Sequence, residues 1–276
     1  MKRKLCLLFA LVMMMGAFAA GCGNSGNGGG EADPGDTSLS DIEAKGNLVL
    51  GLDDAFPPMG FQDGNEIVGF DIDLAREVCA ILGVELKLQP IDWKAKEMEL
   101  QSKNIDCIWN GMSVTPEREK EMRMSIPYLP NHMALVVLPD SGINTVADMA
   151  GKKLALQSAS SAEDALASES GAALKEAVSA VNPFSDNMMA LMDLEAGGSD
   201  ALLVDDVVAN YLIKTSGKNM VVLSDFLYAE QYAIGFRKED EALAEAVNDA
   251  LRQLKENGKL AEISTKWFGS DVTTLE

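Results

Sequence analysis

Apolar residues at Ile72, Leu74, Ala75, Val78, Cys79 and Leu82 recur at three- and four-residue spacing, and Gly83 follows them. This is one face of an amphipathic helix with a glycine stop, predicted over 71–83. Ahead of it, NLVLGLD (47–53) reads as a strand running into a turn. FPPMGF, with two prolines and a glycine, reads as a loop, and 67–69 as a short strand. Behind it come a strand in VELKLQPI, a helix in WKAKEMELQSKN and a strand in IDCIWNGM that breaks at Asn110-Gly111. A further helix opens at Thr115. Strand and helix alternate throughout, which predicts a mostly parallel sheet covered by helices.

The second half repeats the alternation. MALVVLP (133–139) is an apolar strand closed by a proline. TVADMAGKKLALQSASSAEDALAS gives helix, strand, loop and helix, and 191–196 end a helix before Gly197-Gly198. DALLVDDVVANYLIKTSG gives a strand and a helix, and YAIGFRK a strand. The segment from Asp240 to Gly269 is a pair of helices parted at Gly258. The fold class is α/β, in two units of similar size. Ligands of such sheets collect at the carboxyl ends of strands, beside helix starts.

The chain opens differently. Lys2, Arg3 and Lys4 precede an uncharged apolar run from Leu5 to Phe18, and Ala19, Ala20 and Gly21 stand before Cys22. This predicts an export signal over 1–21, too short for a confident membrane span. The cysteine after small residues resembles a bacterial lipoprotein lipobox, with Ala19 where leucine is usual. That resemblance implies Cys22 as a lipid-modified N-terminus; the alternative is an ordinary cleaved signal with an incidental cysteine. Residues 22–40, rich in Gly, Ser, Asn and Asp, read as a flexible tether between the anchor and a soluble body.

Charge narrows the partners. The signal carries three of the 23 basic residues and none of the 43 acidic ones, so the remainder has a formal charge of −23. Such a surface disfavours nucleic acid and anionic lipid. Two cysteines, Cys79 and Cys107, lie in the folded part. Two buried thiols is the preferred reading, with a single disulfide open in an exported protein. The lone histidine, His132, has no acid adjacent in sequence and reads as a surface or loop residue. No H-E-x-x-H, C-x-x-C, G-x-S-x-G or Walker-type loop occurs; the many carboxylates leave an acid/base pair open by count alone, though most should be solvated, and no cofactor, metal or catalytic residue is expected.

Three polar features fall at strand ends instead. In SVTPERE, Thr115 suits an N-cap, Pro116 the first helical position and Glu117 the first turn, but Arg118 sets a cation against the positive end of the helix dipole. An anion held by that guanidinium and the backbone N–H groups resolves the conflict; a side chain bent into water is the bland alternative. Ser160 and Ser161 open a helix after a strand, and Asp205 ends an apolar strand. Taken singly these are more often helix caps. Together, an arginine with two helix starts suits a carboxylate and an aspartate suits an ammonium, the two ends of a free amino acid.

GLDDAFPPMGF, GFDIDLAREV, NIDCIWNGMSVTPERE, LALQSASSAEDAL, DALLVDDVVANY and the ending KWFG, in this order, closely resemble the extracellular amino-acid-binding proteins of ABC importers, solute-binding family 3. The resemblance covers about 47–270. It implies a periplasmic-binding-protein-like type II fold, two α/β lobes with mixed, mostly parallel sheets joined by a two-segment hinge. The crossings would lie near 130–135 and 229–234. Lobe 1 would hold 41–131 plus 232–276, and lobe 2 132–231. Carried over position by position, the α-carboxylate clamp falls on Arg118, with Ser113, Ser160 and Ser161. The α-ammonium acceptor falls on Asp205, the backbone of Asn110 and Gly111 lines the site, and Phe56 covers the ligand side chain with Asp53 nearby. Ala159 stands where the family usually has glycine before its paired hydroxyls.

Asp53, Asp54 and Asp92, with Phe56, Trp93 and Trp109, fall in the stretches expected to form the side-chain pocket. Carboxylates with aromatic faces suit a cationic side chain, arginine first. The alternative is that some of these aspartates cap turns and the tryptophans pack in the core, leaving a polar neutral amino acid or cystine. The expected protein is therefore a monomeric binding protein, not an enzyme. It would capture a free amino acid for an ABC permease while leashed to the outer face of the cell membrane, or facing the periplasm where two membranes exist. The rivals are a dehydratase-like enzyme on the same fold and a sensor with the same ligand chemistry.

Overall fold

The computed structural model describes residues 35–275. The signal at 1–21, Cys22 and the first part of the tether lie outside the described residues. The body begins earlier than the tether reading allowed. Asp36 accepts hydrogen bonds from Ser38 N at 2.8 Å and Ala242 N at 2.6 Å, so one carboxylate ties two helix starts together. Helix α1 (Ser38–Lys45) follows at once.

Then come β1 (Asn47–Leu52), β2 (Ala55–Phe56), β3 (Gly60–Asp63), β4 (Glu66–Val68), α2 (Phe70–Leu82) and β5 (Glu85–Pro90). A 3-10 turn (Trp93–Ala95) leads into α3 (Lys96–Gln101), followed by β6 (Cys107–Ser113), α4 (Pro116–Glu121), β7 (Met122–Met124) and β8 (Leu129–Val137). The predicted helix at 146–149 is a short 3-10 turn. After it come β9 (Lys153–Gln157), α5 (Ser161–Ala167), α6 (Ala172–Ala177), β10 (Ala180–Phe184), α7 (Asn187–Glu195), β11 (Ala201–Asp205) and α8 (Asp206–Ser216). The chain ends with β12 (Val221–Val222), β13 (Tyr228–Arg237), α9 (Glu241–Glu256) and α10 (Lys259–Phe268).

The large sheet runs β10-β9-β11-β8-β13-β6-β1-β5, with β12 beside β8 and β7 beside β13. Two parallel triplets, β5-β1-β6 and β10-β9-β11, flank a central pair. That pair, β8 and β13, is antiparallel, with Tyr228 to Tyr232 opposite Met133 to Leu129. Beyond this shared stretch, β8 pairs with β11 and β13 with β6. Two strands thus carry the chain between two α/β halves, the mixed two-lobed class expected from sequence.

The helical stripes cover the sheet. Phe70, Ile72, Leu74, Ala75, Val78 and Cys79 of α2 are buried, as are Leu243, Val247, Leu251 and Leu254 of α9. Each fully buried Leu, Ile or Phe contributes roughly 1.5–3 kcal/mol of apolar transfer. Cys79 and Cys107 are both buried and unbonded, and burial raises both thiols, Cys79 to about 12. No helix among the described residues is long and apolar enough to cross a membrane. The β6 strand does not break at Asn110-Gly111. It runs to Ser113 because Gly111 takes a left-handed φ of 56° and lets the backbone continue against Phe56 and Tyr232. A Cβ there would stand 2.7 Å from the Phe56 ring.

Candidate functional site

The carboxyl ends of β6, β9 and β11 meet at one small cavity, where ligands of α/β sheets collect. Nine of the ten residues singled out from sequence line it: Asp53, Phe56, Trp93, Asn110, Gly111, Arg118, Ser160, Ser161 and Asp205. Gln157 joins them. Ser113 stands just behind the wall.

Arg118 is buried, in the position that raised the dipole conflict. Thr115 caps α4 by accepting from Arg118 N, and Nη1 of the guanidinium donates to Ser113 O at 2.8 Å. Asp164 in the first turn of α5 comes within 3.7 Å of Nη2, but its carboxylate is more than half exposed. This pair is weak, and the guanidinium keeps donors for a further anion. Ser160 is a true cap, accepting from Ala162 N and donating to Gln157 O. Ala159 takes a left-handed φ of 55°, the conformation glycine adopts freely. Its carbonyl accepts from Lys96 Nζ at 3.0 Å. Lys96 is a buried cation that burial lowers, 5.1 Å from the Trp93 ring centroid. It gave no signal beyond the ordinary helix run WKAK.

Asp205 is not a cap. It stands at the N-cap of α8 without a side-chain hydrogen bond to the helix. Its carboxylate turns to Tyr232 Oη at 2.6 Å and Asn131 Nδ2 at 2.5 Å. The same amide nitrogen donates to Glu230 at 2.8 Å, and Glu230 also accepts from Ser113 Oγ at 2.8 Å. Burial, then the nearby Glu230, push Asp205 up to about 7, against the Tyr232 and Asn131 hydrogen bonds. Burial raises Glu230 as well. Ser113 therefore departs from its expected place in the carboxylate clamp: its hydroxyl is spent on Glu230, and only its carbonyl meets Arg118.

The side-chain end is leaner than the sequence suggested. Asp53 lines the cavity but accepts from Ala55 N at 2.9 Å and Gln157 Nε2 at 2.7 Å. Gln157 is held in turn by Asn187. Asp54 accepts from Gln62, and exposed Asp92 caps the 3-10 turn by accepting from Lys94 N. Trp109 is in the core, because β6 alternation sends it away from Asn110. None of these three lines the cavity. His132 is a half-exposed strand residue, 3.1 Å from Asp206 and stacked on Phe226.

Asn131, Glu230, Tyr232 and Gln157 escaped the sequence reading. All four sit inside or at the ends of strands that read as core or surface alternation, and only the pairing of β8 with β13 brings the first three together. No cluster of His, Cys, Asp and Glu able to hold a metal occurs among the described residues.

Known proteins share this architecture. Residues 48–270 match the family described as bacterial extracellular solute-binding proteins, family 3. The L-cystine-binding protein TcyJ of Escherichia coli is 32% identical over 240 residues, covering 85% of this chain and 87% of that protein. The arginine-binding extracellular protein ArtP of Bacillus subtilis is 31% identical, covering 97% of this chain and 98% of that protein. A crystal structure of an ABC uptake transporter substrate-binding protein from Streptococcus pneumoniae, with bound histidine, superposes with a TM-score of 0.84 at 40% identity. It covers 88% of this chain and 100% of that one. With that match spanning most of the chain, this protein belongs to the bacterial extracellular solute-binding proteins of family 3.

Proposed function

We propose that this protein captures one free polar amino acid between two lobes and delivers it to the permease of an ABC importer. The observation that carries the reading is that Arg118 and Asp205 line one cavity, one cation and one acid with no direct ion pair between them. The α-carboxylate would meet the Arg118 guanidinium and the starts of α4 and α5, and the α-ammonium would meet Asp205. Asp53, Phe56 and Trp93 would face the ligand side chain. Lobe 1 would comprise 41–131 plus 232–276 and lobe 2 132–231, with closure about β8 and β13 burying the ligand.

Arginine is the first candidate ligand, supported by the binding described for the B. subtilis relative and by Asp53 beside two aromatic rings. Cystine, histidine and glutamine stand behind it, because Asp54, Asp92 and Trp109 leave Asp53 as the one carboxylate at that end. The protein would act by binding and release, without catalysis, as a monomer. The export signal and Cys22 support a lipid anchor at the outer face of a membrane. A sensor of the same amino acid would use the same cavity and differ only in its membrane partner.

The test is a melting panel with the twenty amino acids, cystine and ornithine, on protein unfolded and refolded to strip bound ligand. Saturation at 100 times the dissociation constant adds about 2.7 kcal/mol and raises Tm by several degrees. The largest rise with arginine supports the first candidate. The largest rise with a neutral amino acid keeps the clamp and discards the cationic pocket, and no rise with any of them overturns the reading.

A further inference from the structure

Asp205 and Glu230 are two buried carboxyl groups bridged by one amide nitrogen. The two hydrogen bonds of Asn131 Nδ2, 2.5 and 2.8 Å long, hold the acceptor oxygens close enough for strong mutual repulsion. The other hydrogen-bond donors acting on the pair are neutral: the Tyr232 hydroxyl and the residue's own backbone N–H on Asp205, and the Ser113 and Ser161 hydroxyls on Glu230. The nearest cation is Arg118, which acts on Glu230 from a distance while donating to Ser113 O. Tyr128, the other titratable group close by, is a phenol whose own ionisation is pushed well above its usual range. On the far side of β8, Asp206 is turned to His132 and away from the pair. Asn131 Oδ1 has no partner, so the amide is held in place by the two acids alone.

We propose that Glu230 is a positioning residue for the ammonium end of the cavity, sharing one proton with Asp205 when the cleft is empty and releasing it to solvent when the ligand ammonium arrives. The inference rests on the amino-acid reading above and deepens it. Two carboxylates this close in a buried site do not both ionise without a cation beside them. Asp205 lines the cavity, so an α-ammonium on Asp205 supplies that cation. The proton leaves as the positive charge enters, and the buried charge stays nearly constant. Glu230 acts through Asn131 and Ser113 and does not line the cavity.

Binding then competes with protonation, and acid weakens it. With a group titrating near 7 in the empty protein, affinity falls about tenfold from pH 8 to pH 6. The experiment is calorimetric titration near pH 7 in two buffers of different ionisation enthalpy. The probe is whichever of L-arginine, L-glutamine and L-cystine gives the largest melting shift, none of which has a side chain titrating there. Wild type should release about half a proton or more per amino acid bound. In Glu230→Gln the amide oxygen still accepts from Ser113 and Asn131, and release should fall by more than half, with a flatter pH profile of Kd. Glu230→Asp should restore release. Binding with less than about a fifth of a proton released in wild type would overturn the inference and leave the amino-acid reading standing, as would Glu230→Gln releasing as much as wild type. No binding of any amino acid of the melting panel would overturn both.

Discussion

The two ends of the cavity hold opposite charges in opposite ways. At the cationic end Arg118 stands on a six-residue helix, with Lys96 close by and an exposed carboxylate at 3.7 Å. Its surroundings are loops and helix starts. At the acidic end Asp205 and Glu230 are set on β11 and β13, bound to Asn131 and Tyr232 within the central strands. Charge is partly neutralised at the first end and crowded at the second. The first end is poised to receive an anion on the guanidinium donors that the protein leaves free. The second can adjust to its occupant by gaining or losing a proton.

Removing Arg118 breaks the comparison most directly. Arg118→Ala should weaken amino-acid binding by about 2–5 kcal/mol, roughly 30-fold and upward, at every pH. Calorimetry supplies the affinity and circular dichroism the intact fold, and binding within threefold of wild type would sink the assignment. Asp205→Asn should cost less, roughly 10- to 30-fold at pH 8, because the amide oxygen still accepts from the ammonium. The two variants should differ in kind: pH dependence survives the first and disappears in the second.

Asp71 provides a reference for a buried acid with no second carboxylate. It lies behind the cavity, accepts from Gly111 N at 2.7 Å, and is pushed up to about 7 by burial. Its folded value lies above its unfolded one. The stability it contributes is therefore complete below the unfolded value near 3.8 and lost as pH rises toward 7. Between pH 5 and pH 8 that loss is roughly 2–3 kcal/mol. Asp71→Asn should flatten the pH profile of Tm by a corresponding amount, and an unchanged profile would show that burial alone does not raise a carboxyl in this fold. The smallest effect belongs to the cationic end. Ala159→Gly removes a methyl group from a left-handed residue and should stabilise the protein by about 1 kcal/mol in urea unfolding.

Legibility in the sequence follows the same division. Arg118 and Asp205 were readable because each breaks a local rule, a cation at the wrong end of a helix or an acid closing an apolar run, and Ser160 and Ser161 because they open a helix directly after a strand. Helices α2, α8, α9 and α10 were readable from apolar spacing and the glycines that stop them. Glu230 was not. In YAEQYAIGFR alternation sets it on the face of Tyr232 and Ile234, but a carboxylate near the exposed start of a strand reads as solvated. Its burial comes from Ser113, 117 positions away, and Asn131, 99 positions away. Trp109 misled for the opposite reason, since its neighbours in sequence line the cavity while strand alternation turns it into the core. β10 was missed because AVNPF has no buried face and carries a proline.

Ser113 touches both ends at once, with its carbonyl on Arg118 and its hydroxyl on Glu230. One residue therefore links the anchor proposed for a carboxylate to the acid that stands behind the anchor proposed for an amine. Such a link favours one spacing between the two charges of a ligand: β-alanine and γ-aminobutyrate, which carry them further apart, should give smaller melting shifts than the matching α-amino acids.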